Sequence, residues 1–145
     1  MYKHILIPTD GSPLSDDAVK QGLGLAKTLH AKVTVLTVVP PFHVFTTETM
    51  MVTDTREHYD KDIARMAERR LAWPREAAKL AGVVYEDVSE VAEHPWAAIV
   101  ETAEIRGCDL IVMASHGRKG VSALVLGSET TKVLTHSKIP TLVCR

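Results

Sequence analysis

Short blocks of apolar, β-branched residues alternate along the chain with stretches in which apolar positions recur every three or four residues. Residues 3–7 (Lys-His-Ile-Leu-Ile) read as a strand that stops at Pro8, and the turn cluster Thr9-Asp10-Gly11-Ser12-Pro13 follows. Between Asp16 and His30, Val19, Leu23, Ala26 and Leu29 share one helical face. Ser12, with Pro13 just inside the start, or Ser15 one turn later, is placed to cap that helix. Residues 32–39 (Lys-Val-Thr-Val-Leu-Thr-Val-Val) are a near-continuous β-branched run ended by Pro40-Pro41, the pattern of a central parallel strand covered on both faces. Residues 42–53 show no period and read as a long loop, a kind that is often functional in compact domains. A helix is predicted from about Asp54 to Leu80, with Ile63, Met66, Ala67, Leu71, Ala77, Ala78 and Leu80 as its buried stripe. Pro74 should kink or break it, and Gly82 ends it. Residues 83–91 predict a third strand. His94-Pro95-Trp96 opens a helix that turns Ile99, Val100 and Ala103 inward and closes at Gly107. Residues 109–114 predict a fourth strand and 115–121 a glycine-rich loop. A helix over about 128–135 and a fifth strand, Ile139 to Cys144, complete the chain.

Five strands alternating with four helices predict an α/β fold with an open parallel sheet. Ligands of such sheets sit beyond the carboxyl ends of the strands, where the strand order reverses. The segments Pro8-Thr9-Asp10 and Ser115-His116-Gly117 meet there if strands one and four are neighbours. At 145 residues, with no linker, repeat or low-complexity tract, residues 1–145 are expected to form one domain.

Composition narrows the classes. Seventeen basic against eighteen acidic residues, formal charge -1, leave no electrostatic footprint for nucleic acid or an anionic membrane. Two cysteines, Cys108 and Cys144, are too few for a disulfide framework and suggest a reducing compartment. No apolar run approaches the roughly 18 residues of a membrane span. Ile5-Leu6-Ile7 before Pro8 is too short for the apolar stretch of a secretory leader. The expected location is therefore cytoplasmic.

The loop Ala114-Ser115-His116-Gly117-Arg118-Lys119-Gly120, followed by Gly127-Ser128-Glu129-Thr130, is the most informative stretch. Gly117 and Gly120 permit positive φ and close backbone approach. Gly127-Ser128 falls where the next helix begins, and the free N–H groups of a helix start suit phosphate. Ser128 and Thr130 add hydroxyl donors; the bland alternative is a flexible turn with a capping serine. Asp10, at the expected mouth of the sheet, is placed to accept from ribose hydroxyls, to hold a metal, or simply to cap the turn into the first helix. Val38 and Val39 end the second strand as core residues, one of them placed to flank a base. Other signatures are absent. There is no GxxxxGK[ST], and Gly22-Leu-Gly24 has Lys27 at the third glycine of a dinucleotide fingerprint and lies mid-helix. The seven histidines lack HExxH spacing, His116 alone lies in the glycine loop, and no Gly-x-Ser-x-Gly elbow exists. Asp16-Asp17 and Glu86-Asp87 look like solvated faces, and Trp73 and Trp96 like packing residues.

In order along the whole chain, Lys3-His-Ile-Leu-Ile-Pro-Thr-Asp-Gly-Ser12, Asp109-Leu-Ile-Val-Met113, Ser115-His-Gly117, Gly127-Ser-Glu-Thr130 and Ile139-Pro-Thr-Leu-Val143 resemble the single-domain universal stress proteins. The resemblance implies a five-stranded parallel sheet of order 3-2-1-4-5 with helices on both faces, adenine nucleotide alpha hydrolase-like, and homodimers paired through the last strand. The signature of the ATP-binding branch is glycine, two residues, glycine, nine residues, glycine, then Ser or Thr. Gly117, the nine residues Arg118 to Leu126, and Gly127-Ser128 match it, and Ala114 stands where the first glycine belongs. Position by position, Pro8, Thr9 and Asp10 resemble the ribose and adenine edge, and Val38 the adenine-flanking valine. Met113 and Ala114 would lie under base and sugar, with Ala114 adding a methyl near the ligand. Gly117, Arg118, Gly127, Ser128, Glu129 and Thr130 match the phosphate cradle. A Glu129 carboxylate beside phosphate would repel it unless Mg²⁺ intervenes or the side chain points away, so its N–H is the credible contact. The resemblance thus implies a cytoplasmic ATP-binding stress-response dimer, with Mg²⁺, that reports nucleotide state to a protein partner. A slow ATPase using Asp10 with Mg²⁺, or a dimeric scaffold without nucleotide, are the alternatives.

Overall fold

The computed structural model describes residues 1–41, 52–118 and 125–145. Its elements run β1 (His4–Pro8), α1 (Pro13–Leu29), β2 (Lys32–Val39), α2 (Val52–Ala81), β3 (Tyr85–Val91), α3 (Pro95–Ile105), β4 (Leu110–Ala114), α4 (Ser128–His136) and β5 (Thr141–Cys144). All four strand pairings are parallel, in the order β3-β2-β1-β4-β5. The expected order is therefore the observed one. Most of the segment read as the 42–53 loop lies outside the described residues, and α2 already begins at Val52.

Strand alternation sorts the core into two layers. Ile5, Ile7, Val33, Val35, Leu110, Val112 and Ala114 face α1 and α2. Leu6, Leu36, Ile111 and Met113 face the side of Ile99, Ala103 and Val133, on α3 and α4. Every residue of β4 is buried, as a strand covered on both faces must be, whereas β3 and β5, at the edges, are mostly half-buried or exposed. Cys108 and Cys144 are both buried free thiols, in opposite layers.

Ser12 is the cap of α1. Its Oγ accepts from the Ser15 N–H at 3.3 Å, and Pro13 opens the helix. At the other end His30 takes the left-handed conformation, φ 55°, and closes the helix. Val19, Leu23 and Ala26 of the expected inward face are buried, Leu29 is half-buried against the same core, and Ser15, Ala18 and Gly22 join them. A Cβ there would run into Ile7 Cδ1, so the absence of a side chain is what lets α1 lie against β1. Gly24, on the exposed face, has nothing within 4 Å. The pair that mimics a dinucleotide fingerprint is thus one packing glycine and one idle one.

Three expectations need correction. Helix α2 is not divided at Pro74; it is one element through Ala81. Pro74 is itself buried, one turn from buried Leu71 and Ala78, and this packing offsets the hydrogen bond that proline removes. The buried stripe runs Ala67, Leu71, Pro74, Ala78, so Met66 and Leu80, one and two positions off that spacing, face outward. Lastly, Glu86-Asp87 is not a solvated face. Glu86 accepts from the Thr34 hydroxyl at 2.7 Å and Arg106 Nη1 at 2.9 Å, with Lys32 Nζ at 3.1 Å. The Thr34 bond, against burial and with help from Lys32 and Arg106, holds its carboxyl down at about 2. Asp87, pointing to the other face, accepts from Arg75 Nε at 2.9 Å. Adjacent carboxylates on β3 therefore fasten one helix on each side of the sheet.

The two glycines of α1 should respond oppositely. Gly22→Val should lower stability by about 1–3 kcal/mol, the cost of overpacking a filled core. Gly24→Ala should raise it by about 0.5–1 kcal/mol through helix propensity. Urea unfolding of both variants checks the contrast, and equal effects would mean that α1 does not lie against Ile7.

Candidate functional site

The chain order reverses between β1 and β4, so the mouth of the sheet opens above that pair. Two turns emerge there. After β1, the Thr9 N–H bonds the Leu36 carbonyl at 2.8 Å and holds the turn to β2. Its hydroxyl, buried, accepts from the Gly11 N–H at 3.1 Å and donates to Ser15 Oγ at 3.0 Å, which in turn donates to the Ser12 carbonyl at 2.9 Å. After β4, the Ser115 N–H bonds the Cys144 carbonyl, and the Gly127 N–H bonds the Ser115 carbonyl, each at 2.8 Å.

Asp10 joins the two turns. Its Oδ1 accepts from the Ser12 N–H at 2.9 Å and its Oδ2 from the Arg118 N–H at 2.8 Å, while Arg118 Nε donates to the Asp10 carbonyl at 2.8 Å. Burial presses the carboxyl pKa upward, but hydrogen bonds from Ser12 and Arg118 outweigh it, and the group titrates below the ordinary range. Gly117 is required by this contact, since a Cβ would stand 2.7 Å from Asp10 Oδ2. Positive φ, the other reason considered, belongs to Gly11, Gly82 and Gly107 among the described glycines and not to Gly117. Gly120 lies outside the described residues. Gly127 has a similar constraint, with a Cβ placed 3.0 Å from the Ser115 carbonyl oxygen.

Helix α4 starts at this junction. Its N-cap is Gly127, which offers no side-chain hydrogen bond, so the first-turn N–H groups lack the acceptor that normally caps them. Ser128 is exposed beside them. Thr130 is buried, and its hydroxyl donates to the Ala114 carbonyl at 2.9 Å and lies 3.2 Å from that of Ser115. The expected hydroxyl donor is therefore committed to tying α4 onto β4. The Glu129 carboxylate turns away and accepts from the Trp96 N–H at 2.8 Å, capping the start of α3.

Pro8, half-buried, ends β1, and Met113 is buried in the layer toward α3 and α4. The Ala114 methyl lies in the opposite layer with Val112 and Cys144, so the alanine in place of glycine is absorbed by the core. Val38, half-buried at the end of β2, is joined to the site by a residue the motifs do not mark. Arg70 of α2 donates through Nη1 to the Val38 carbonyl at 3.1 Å and lies 3.4 Å from the Thr37 hydroxyl. A Cβ on Gly11 would stand 3.1 Å from Arg70 Cγ and 3.3 Å from Arg118 Nη2, so the two arginines meet over that glycine. Burial, then Arg118, pushes the Arg70 pKa down while Asp10 opposes. A sequence signal exists: Arg70 sits three residues after Ala67 and four before Pro74, on the stripe that packs inward.

Asp10→Asn would set an amide NH₂ or a weaker carbonyl against the Ser12 and Arg118 N–H groups. It should cost about 1.5–3 kcal/mol near neutral pH, as for a hydrogen bond to a charged group. Because the folded pKa is depressed, the wild-type advantage is present above the unfolded value and is lost as pH falls through the folded one. Stability of the two proteins measured from neutral to acid pH should therefore converge below about pH 4; a constant gap would show that the carboxylate charge is not used.

The chain matches the Universal stress protein family over residues 1–145. The universal stress protein MJ0531 of Methanocaldococcus jannaschii is 32% identical, covering 100% of this chain and 83% of the relative. YxiE of Bacillus subtilis is 30% identical over 100% of both chains. Among solved structures, the M. jannaschii protein MJ0577 superposes with TM-score 0.83 at 28% identity, covering 99% of this chain and 96% of the other. A universal stress protein in complex with cAMP superposes with TM-score 0.72 at 26% identity over 99% and 97%. The fold is the adenine nucleotide alpha hydrolase-like one. With the family matched from end to end, its strand order reproduced and its glycine-loop and Gly-Ser motifs brought together at the β1–β4 mouth, the chain belongs to the universal stress protein family.

Proposed function

We propose that this protein is a cytoplasmic ATP-binding module that reports nucleotide state to a protein partner as a homodimer. One observation carries the reading. The uncapped start of α4 stands against the turn after β4, and Asp10 ties that turn to the one after β1 at the switch point of the sheet. A relative solved with cAMP supports a nucleotide of adenine type. On this reading Val38 flanks the base, and Pro8, Thr9, Met113 and Ala114 form the floor. Asp10 accepts from the ribose through lone pairs its two N–H partners leave free. Phosphates lie along Gly117, Arg118, Gly127 and Ser128, with Glu129 and Thr130 contributing N–H groups only. Mg²⁺ arrives on the phosphates, since the Glu129 carboxylate is turned to Trp96 and, among the described residues, no group of three or more His, Cys, Asp or Glu could hold a metal. Two buried free thiols fit a reducing compartment, and no helix among the described residues is long and apolar enough to cross a membrane.

If ATP binds the folded state only, about 100 times Kd stabilises it by roughly 2.7 kcal/mol, a rise in Tm of about 5–11 °C for a domain near this size. Gly127→Val should remove the rise by displacing the Ser115 carbonyl. Ala114→Gly should leave it unchanged, because the methyl is in the core. Thermal shift with ATP, ADP and AMP, at fixed protein concentration, checks both, and no shift with any of them leaves the nucleotide-free scaffold. Assembly is tested separately. Strand β5 is a free edge with Leu142 44% exposed. Leu142→Lys and Thr141→Pro should shift the protein toward monomer in light scattering; a dimer indifferent to both lies elsewhere.

A further inference from the structure

We propose that Arg70, with Arg118, forms an anion-binding pair that takes the phosphate chain of the ligand, although Arg70 belongs to none of the recognised motifs. The identity of the phosphate carrier rests on the nucleotide reading above; the anion site itself does not. Arg70 is half-buried at the mouth of the sheet. Its two hydrogen bonds go to neutral acceptors, the Val38 carbonyl and the Thr37 hydroxyl. Its Nε is buried with no hydrogen-bond partner, and no carboxylate pairs with it among the described residues. The one carboxylate close by, Asp10, already accepts from the Ser12 and Arg118 N–H groups. Gly11 supplies the space in which the second guanidinium approaches, and its φ of +73° with no side chain keeps that space open. Two guanidinium groups, Arg70 half-buried and Arg118 exposed, thus face one engaged carboxylate and leave a surplus positive charge.

An arrangement of this kind costs stability when the protein is empty. A buried polar N–H without a partner and a cation without a counter-ion are both unfavourable, and adjacent like charges add to the cost. An oxyanion placed between the two arginines offsets the charge terms: it neutralises the surplus charge and screens the two guanidiniums from each other. Guanidinium donors pair with phosphate oxygens in charge-assisted bonds, stronger than those to neutral acceptors. Arg118 belongs to the turn after β4, whose Ser115 carbonyl accepts from the Gly127 N–H at the start of α4, so the pair and the helix start border the same turn. A residue serving only as a strut would have all its donors filled in the protein as it stands, whereas Arg70 is bonded through Nη1 and leaves Nε unpaired.

The test uses titration calorimetry with inorganic tripolyphosphate, ATP and adenosine on the wild-type chain, Arg70→Met, which keeps the packed stem, and Arg69→Gln, an exposed control on the same helix. Arg70→Met should weaken tripolyphosphate and ATP by about ten- to a hundred-fold, leave adenosine unchanged, and not lower the Tm of the unliganded protein. Arg69→Gln should change none of these. Unchanged affinity for both phosphate ligands in Arg70→Met overturns the proposal while leaving nucleotide binding intact. A lowered unliganded Tm with equal losses for ATP and adenosine overturns it in favour of a strut. Tighter adenosine binding overturns it in favour of a side chain that plugs the base site. Tripolyphosphate binding that depends on Arg70, with neither ATP nor adenosine bound, upholds the anion site and removes the nucleotide reading. Absence of binding by all three ligands to wild type overturns both.

Discussion

The parallel pairing of β1 with β4, Ile5 opposite Leu110 and Leu6 opposite Ile111, sets the position of every other part. The chain leaves β1 toward β2 on one side and returns through α3 to β4 on the other, so both strands are buried between two helical layers. Neither can slip without turning a filled face outward. Their carboxyl ends are therefore held side by side, and turns 108 residues apart in sequence come within hydrogen-bond distance at Asp10 and Arg118. The α4 start inherits its place from the same pairing, through Thr130 bonded to the last carbonyl of β4.

The order and type of the elements were legible because each has a single dominant signal. β2 is a near-continuous β-branched run and β4 a continuous apolar one, α1 has a cap, a proline and a stripe, and the turns carry glycine. What escaped sequence reasoning lies in contacts between elements. Glu86-Asp87 reads as a polar doublet, and only the neighbouring strand and two helices turn it into a pair of fasteners. Pro74 reads as a break because local propensity sees the lost N–H and not the packing around the ring. Met66 and Leu80 read as core because apolar residues outnumber the positions on one face of α2.

The candidate site divides in the same way. The backbone-defined parts, Gly117, Gly127 and the start of α4, are marked in sequence by glycine and by the motif of the family resemblance, and they are together in the structure. Side-chain roles are harder. Thr130 looks like a hydroxyl donor in sequence, yet its hydroxyl bonds its own strand, whereas the Glu129 carboxylate, expected to clash with phosphate unless it points away, does turn away and caps a neighbouring helix. Conversely, Arg70 stands in a run of charges; its spacing places it on the inward stripe of α2, but its place over Gly11 depends on the path of α2 across the sheet. Glycine positions report backbone proximity, which is local; the direction of a long side chain is decided by what packs beneath it.

The burial of both thiols also bears on what kind of signal the chain can receive. Cys108 and Cys144 are its only cysteines. Burial first, then the Asp109 and Glu86 charges, pushes the Cys108 thiol up to about 11, and burial raises Cys144 as well. At neutral pH about one Cys108 in ten thousand is a thiolate, the form that oxidants and electrophiles attack. The two sulfurs lie in opposite layers of the sheet and cannot meet in one folded chain. Peroxide or a disulfide donor thus finds almost no reactive thiolate in the folded molecule, and oxidative conditions would have to reach this protein through something other than its own cysteines.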